Sequence, residues 1–259
     1  MPRTAALLAG AAVAAALGAA PPAAAITSGG TPTGEAYGSV GALVPYEGSP
    51  RITCSGTLIG PKVFLTAAHC GDALAYYNGN DSGRGLVTFA PEYVPGRTET
   101  IGGTLVRHPG WSSVSSSNLA RNDVAVVLMD RAPAGVAPVQ LVGAGGLDER
   151  ELRGTTFRSV GYGYRELGVA QARSGINRRE QAESSYQSLT QDFLRLSQVQ
   201  ATGDEGVCMG DSGGPQFDAS GVQVSVTSTV DAMCRSYSSN QRLDLPEVRD
   251  FLDDHVALP

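Results

Sequence analysis

An all-β fold, with short strands closed into a barrel or packed as a sandwich, is what this sequence predicts, and three observations predict it. The 259 residues include 33 glycines and 15 prolines, a density of turn-forming residues that suits many tight connections and disfavours long helices. The apolar runs are short, rich in β-branched and aromatic residues, and bounded by Gly, Pro, Asn or Asp, which is how strands read. The clearest helical spacing is confined to the C-terminal segment. The length allows one or two domains and a sizeable core.

The first 25 residues differ in kind from the rest. Met1-Pro2-Arg3-Thr4 is a short positive start, Ala5 to Ala20 is an apolar run, and Pro21-Pro22 breaks it before Ala23-Ala24-Ala25. That is the pattern of an export signal with a small-residue cleavage site over residues 1–25. The apolar run of about 16 residues falls short of the roughly 20 needed to span a bilayer. No second run of this kind follows, so the expectation is a secreted, extracellular protein with no membrane partner.

Strands are then expected at Val40–Val44, Thr53–Ile59, Val63–Ala67, Gly85–Ala90, Thr98–Val106 and Val124–Met129. Ala132-Pro133 to Pro138 reads as a crossing between two halves. The second half is expected to carry strands at Thr155–Val160, Ser188–Val199, Val222–Thr229 and Arg242–Leu245. Between them Arg165–Ser184 is polar and reads as a surface loop, with Arg178-Arg179 exposed and open to nicking. Pro246 to Val256 reads as a helix: Pro246 and Glu247 suit its first turn, and Val248, Phe251, Leu252 and Val256 share one face. His255 falls on that helix as a surface residue.

Charge and cysteine content narrow the function. A formal net charge of −6 argues against a nucleic-acid partner or an anionic membrane surface. Cys54, Cys70, Cys208 and Cys234 in an exported chain favour disulfides over metal ligation, with three connectivities open. His69, His108 and His255 are too scattered for a metal cluster, so neither metal nor cofactor is expected. Asn78-Gly79-Asn80-Asp81 has too few carboxylates for a calcium loop and reads as a turn.

Three short motifs carry chemistry. Gly210-Asp211-Ser212-Gly213-Gly214-Pro215 places a serine between glycines, where the backbone turns tightly and its N–H groups approach a substrate carbonyl. A serine hydroxyl needs a base to become a nucleophile. Leu65-Thr66-Ala67-Ala68-His69-Cys70 offers that base at the end of an apolar run, and Asn122-Asp123-Val124-Ala125-Val126 offers a carboxylate at the mouth of another.

With these motifs in the order His, Asp, Ser, the chain from Ile26 to the C-terminal helix resembles the chymotrypsin-fold, trypsin-like serine proteases, of the secreted bacterial type. The resemblance implies two six-stranded antiparallel β-barrels with a C-terminal helix: an N-terminal barrel over residues 26–138 and a C-terminal barrel over residues 139–259. It implies that Ser212 attacks a peptide carbonyl to form an acyl-enzyme, that His69 takes the proton, and that Asp123 orients the imidazole. The N–H groups of Gly210 and Ser212 would form the oxyanion hole. Among the disulfide connectivities it selects Cys54–Cys70 and Cys208–Cys234. Gly161-Tyr162-Gly163 sits where relatives carry Gly-Trp-Gly. The loose match of Ile26-Thr27-Ser28-Gly29-Gly30 to the family's mature start implies that the freed amine of Ile26 pairs with Asp211. The partners implied are protein or peptide substrates, and a monomer is expected.

The specificity pocket departs from the family pattern. Gly206 stands where trypsin has its pocket-floor aspartate, followed by Val207, and the opposite wall of Thr227, Ser228 and Thr229 is atypical. Without a carboxylate there, uncharged substrate side chains are expected. Gly210 to Gly214 also fits the G-x-S-x-G elbow of α/β-hydrolases, but that fold places its acid and histidine after the serine. Only 47 residues follow Ser212, with His255 near the very end their one histidine, and no βαβ rhythm precedes the motif. The remaining alternative is a non-catalytic secreted binding protein on the same scaffold.

Overall fold

The structure is a computed structural model that describes residues 30–46, 52–112, 121–164 and 177–259. The expected export signal over residues 1–25, Ile26, and residues 165–176 of the polar stretch Arg165–Ser184 lie outside the described residues. Within them the chain forms two closed antiparallel β-barrels, as expected.

The first barrel contains β2 (Val40–Pro45), β3 (Cys54–Gly60), β4 (Val63–Thr66), β5 (Arg84–Thr88), β6 (Ile101–Arg107) and β7 (Ala125–Met129), after a short β1 (Thr31–Pro32). Around the barrel the order is β2-β3-β4-β7-β6-β5, and β5 closes onto β2 through pairs such as Leu43 with Val87. Its interior is almost wholly apolar, with Leu43, Phe64, Leu65, Val87, Val126 and Val127 completely buried. These strands fall within a few residues of the expected spans, because short apolar runs with β-branched side chains speak directly through the sequence.

A helix that the sequence did not announce, α1 (Cys70–Asn78), follows β4 and stops where Gly79 takes a left-handed conformation. Only Cys70, Gly71 and Leu74 of it are buried, too narrow a stripe to register as helical periodicity. In the turn after it, Asn78 accepts from the Tyr46 N–H and Asn80 accepts from the Ser82 N–H.

The second barrel contains β8 (Thr156–Gly161), β9 (Glu180–Leu189), β10 (Phe193–Ser197), β11 (Pro215–Phe217), β12 (Gln223–Val230) and β13 (Tyr237–Arg242). The order is β8-β11-β12-β13-β10-β9, closed by six pairs between β9 and β8. β1 adds to the start of β9, so the N-terminal strand belongs to this second sheet. The interior here carries a polar network: Gln216 accepts from Ser225 at 2.8 Å and donates to Thr227 at 2.7 Å, and Asn240 donates to the Leu194 carbonyl at 3.1 Å. Two expectations are corrected. The stretch Ser188–Val199 is two strands with a turn, and the last strand is Tyr237–Arg242 rather than Arg242–Leu245.

Arg179 requires a larger correction. The sequence places it on an exposed loop, whereas it is 1% exposed. Its guanidinium donates to the Thr33 hydroxyl and to the carbonyls of Gly34, Val40 and Phe89, each at 3.0 Å. It thereby ties the N-terminal segment and the first barrel to β9. A nick at Arg179 is excluded by this burial. The C-terminal helix α3 (Pro246–Asp253) docks back onto the first half, where His108 Nε2 donates to the Glu247 carbonyl at 3.0 Å and its ring lies 5.1 Å from Phe251.

Candidate active site

β4 ends at Thr66 and delivers the buried Ala67 and Ala68 to the turn before α1, leaving His69 at the helix N-cap. The Cys54–Cys70 disulfide pins this turn to β3. Asp123 lies two residues before β7 and is 0% exposed. Its own N–H donates to Gln241 Oε1 at 3.1 Å, which fastens it to β13 of the other barrel.

The Asp123 carboxylate accepts three hydrogen bonds. Oδ2 lies 2.8 Å from His69 Nδ1 and accepts from the Ser228 hydroxyl at 2.6 Å, while Oδ1 accepts from the His69 N–H at 3.0 Å. An ionised carboxylate only accepts, so Nδ1 carries the proton and Nε2 is left as the basic nitrogen. Burial alone would raise the Asp123 pKa, but the charge and donors of His69, with the Ser228 hydroxyl, outweigh it and hold it below the usual range. His69, with its side chain 30% exposed, is the mirror case. Burial alone would lower it, but the Asp123 carboxylate overrides that and raises its pKa.

The nucleophile loop is seated against the same strand end. Gly213 has φ of 81°, and a Cβ there would lie 2.1 Å from Thr66 Oγ1 and 2.8 Å from the Ala67 nitrogen, so only glycine fits. The Ser212 carbonyl accepts from the Ser55 N–H at 2.8 Å, and the Ser55 hydroxyl donates to the Gly210 carbonyl at 2.9 Å. These contacts, with the Ser212 carbonyl 3.8 Å from Cys70 Sγ, seat the Ser212 loop against the strand end that precedes His69. The Ser212 hydroxyl makes no hydrogen bond among the described residues. The N–H groups of Asp211, Gly213 and Gly214 donate to Cys208, Thr227 and Asp211 carbonyls. Those of Gly210 and Ser212 donate to no acceptor among the described residues, which leaves the two expected oxyanion donors open.

Asp211 itself is 1% exposed. Its Oδ1 accepts from the Gly163 N–H at 2.7 Å and Oδ2 from the Cys208 N–H at 2.9 Å. A Cβ on Gly161 or Gly163 would lie 2.2 Å or 2.4 Å from this carboxylate, which explains the two glycines flanking Tyr162. Burial pushes its pKa up to about 7 against the pull of the two N–H donors, and Glu180 adds to the rise. Among the described residues no Lys, Arg or His forms an ion pair with it. Ile26, its expected partner, lies outside the described residues.

The expected pocket residues divide. Gly206 and Val207 are buried beside the Cys208–Cys234 disulfide, formed as the resemblance implied. Thr227 is buried with its hydroxyl on Gln216, and Thr229 is exposed beyond a bulge in β12. Ser228, expected in the pocket wall, directs its hydroxyl at Asp123. Nothing in the sequence marks Gln241 or Ser55, whose contacts reach across the chain. Cys54, His69 and Cys70 cluster closely enough to suggest a metal site, but both sulfurs are committed to the disulfide and offer no thiolate. Among the described residues no helix is long and apolar enough to cross a membrane.

A family model described as Trypsin matches residues 29–241. Among curated proteins none matches the chain. The fold is similar to that of a solved structure of HBP, with TM-score 0.66 and 18% identity over 89% of this chain and 97% of that one. It is also similar to neuropsin, a serine protease expressed in the limbic system of mouse brain (TM-score 0.66, 19% identity, 87% and 97% covered). A mutant of human heparin binding protein gives TM-score 0.65 and 18% identity, with 90% and 95% covered. At these identities the likeness is one of fold. One neighbour is described as a protease and another as a heparin binder, so the scaffold by itself does not assign the chemistry.

Proposed function

The chain belongs to the trypsin family, and from that premise we propose that it is a secreted serine endopeptidase, monomeric and acting on protein or peptide substrates. The observation that carries this reading is the His69–Asp123 contact at 2.8 Å, beside the strand end against which the Ser212 loop is seated. Ser212 attacks the scissile carbonyl while His69 Nε2 takes its proton. The developing oxyanion is received by the N–H groups of Gly210 and Ser212. Collapse of the tetrahedral intermediate expels the amine, which takes its proton from His69, and leaves an acyl-enzyme. Water, deprotonated by the same imidazole, then releases the acid. Asp123 holds the tautomer throughout and stabilises the imidazolium. After removal of residues 1–25, the amine of Ile26 pairs with Asp211 and holds the Gly210–Ser212 segment in place.

The test is a serine-phosphonylating reagent followed by mass spectrometry of the processed chain, with peptidase assays alongside. Stoichiometric labelling at Ser212 and loss of all turnover in Ser212→Ala are expected. An unlabelled, folded wild type would instead favour a binding protein on this scaffold.

A further inference from the structure

Nothing in the sequence sets Gln198 apart. In the structure it follows β10 and is 1% exposed. Its side chain grips the backbone of Val207 at two points: Oε1 accepts from the Val207 N–H at 3.0 Å, and Nε2 donates to the Val207 carbonyl at 3.1 Å. Its own N–H donates to the Ser236 carbonyl at 3.0 Å. Gln198 therefore bridges the segments around Val207 and Ser236, which the Cys208–Cys234 disulfide joins covalently. Its amide also occupies a telling position. A Cβ built on Gly206 would lie 2.4 Å from Gln198 Cδ, 2.5 Å from its Cγ and 2.7 Å from its Nε2. The volume into which any side chain at residue 206 would project is already filled.

We propose that Gln198 forms the floor of the substrate pocket and determines specificity, so that the enzyme accepts short uncharged side chains just before the scissile bond; this rests on the serine-endopeptidase reading above. The amide shortens the pocket by the space a residue-206 side chain would take. It is neutral and engaged on Val207, so it offers a basic substrate group no counter-charge, and desolvating such a group unpaired is unfavourable. The acids nearby in sequence are committed elsewhere. Glu205 Oε2 accepts from the Glu183 N–H at 3.0 Å, and Asp231 accepts from the N–H groups of Met233, Arg235 and Ser236 at 2.7–3.1 Å. Met209 and Met233, exposed beside the two bridged cysteines, add an apolar rim.

The experiment uses the processed wild type, Gln198→Ala, Gly206→Asp and the double variant. Active sites are first counted with the phosphonylating reagent, and then a peptide library varied at the residue before the scissile bond is profiled. Wild type is expected to favour Ala- or Ser-sized residues over Phe and Arg by at least about tenfold in kcat/KM. Gln198→Ala is expected to move the Leu-to-Ala ratio toward Leu by about ten- to a hundredfold. Gly206→Asp alone should gain nothing for Arg, because its side chain meets Gln198, whereas the double variant should gain. A labelled wild type that cleaves best after Arg or Phe overturns the proposal, as does an unchanged Leu-to-Ala ratio in Gln198→Ala. If the variants do not fold, the wild-type profile decides alone. Absence of labelling in folded wild type sinks the endopeptidase reading itself, and this inference with it.

Discussion

Asp123 and Asp211 are both buried carboxylates, 0% and 1% exposed, one ahead of β7 in the first barrel and the other beside Ser212 in the second. Burial works on both in the same direction, against the charged form. Asp123 nevertheless stays ionised, because it faces an imidazole and receives a hydroxyl and a backbone N–H. Asp211 receives only two backbone N–H groups and sits near Glu180, and its pKa climbs to about 7. Neutral donors do not offset desolvation as a cation does. One site has its countercharge within the described residues, and the other holds a buried carboxylate with no cation paired to it among them, the place the proposed Ile26 amine would take. That difference is what the Ile26 proposal addresses.

The largest test of the comparison is Asp123→Asn. It should leave the fold intact by circular dichroism and cost about four orders of magnitude in kcat, since the wrong tautomer of His69 is then favoured. A loss of less than about tenfold would mean that the His69 tautomer does not depend on this carboxylate.

Asp211→Asn should cost less, about 10²–10³ in kcat, the scale of one oxyanion donor. A chain bearing one extra residue before Ile26 should show the same loss while remaining folded. Full activity in the extended chain would separate Asp211 from the amine and break the proposed parallel between the two carboxylates.

The pH dependence of stability sharpens the contrast, because the two signs are opposite. Asp123, with its folded pKa depressed, contributes stability that is present above its unfolded value near 3.9 and is lost as pH falls through the folded value. Asp211, raised to about 7, contributes in the opposite sense. In the unprocessed chain its contribution is full below about pH 3.9 and is lost as pH rises toward 7, a change of a few kcal/mol. His69 adds a separate loss above about pH 6.5, because its folded pKa is raised. Thermal melts of unprocessed wild type and Asp211→Asn across this range should therefore diverge, with the variant showing the shallower decline between about pH 4 and 7. Parallel curves would show that Asp211 ionises freely in the fold.

Ser228→Ala is the smallest of these effects. It removes the 2.6 Å donor from Asp123 and should lower kcat by about tenfold, the worth of one hydrogen bond to a charged acceptor. The acid limb of the kcat–pH profile should rise with it, as Asp123 loses part of what keeps its pKa down.

The two barrels also differ in how much of them could be read in advance. The first barrel's strands are apolar and β-branched, and all six were legible to within a few residues. In the second, Tyr237–Arg242 contains no aliphatic residue, yet Ser238, Ser239, Asn240 and Gln241 are buried in it. A polar hexapeptide of this kind reads as loop, because its burial is tolerable only where hydrogen-bond partners wait. Arg179 was misplaced for the same reason: five donors on one side chain look like surface until four acceptors from three segments converge on them.

By itself the sequence determined what local chemistry determines. That includes the all-β class, the C-terminal helix and the candidate trio of His69, Asp123 and Ser212, each in a short motif whose residue types the proposed reaction demands. Family resemblance added the disulfide pairing, which the structure bears out. Only the tertiary structure decided that Ser228 and Gln241 brace Asp123, that Gln198 fills the space at Gly206, and that Asp211 is held without a cation among the described residues. The physical reason is common to all three. A polar side chain's role depends on which donors and acceptors replace water around it, and those partners lie 48 to 118 residues away or, for Gln198, across a turn of chain whose course no periodicity foretells.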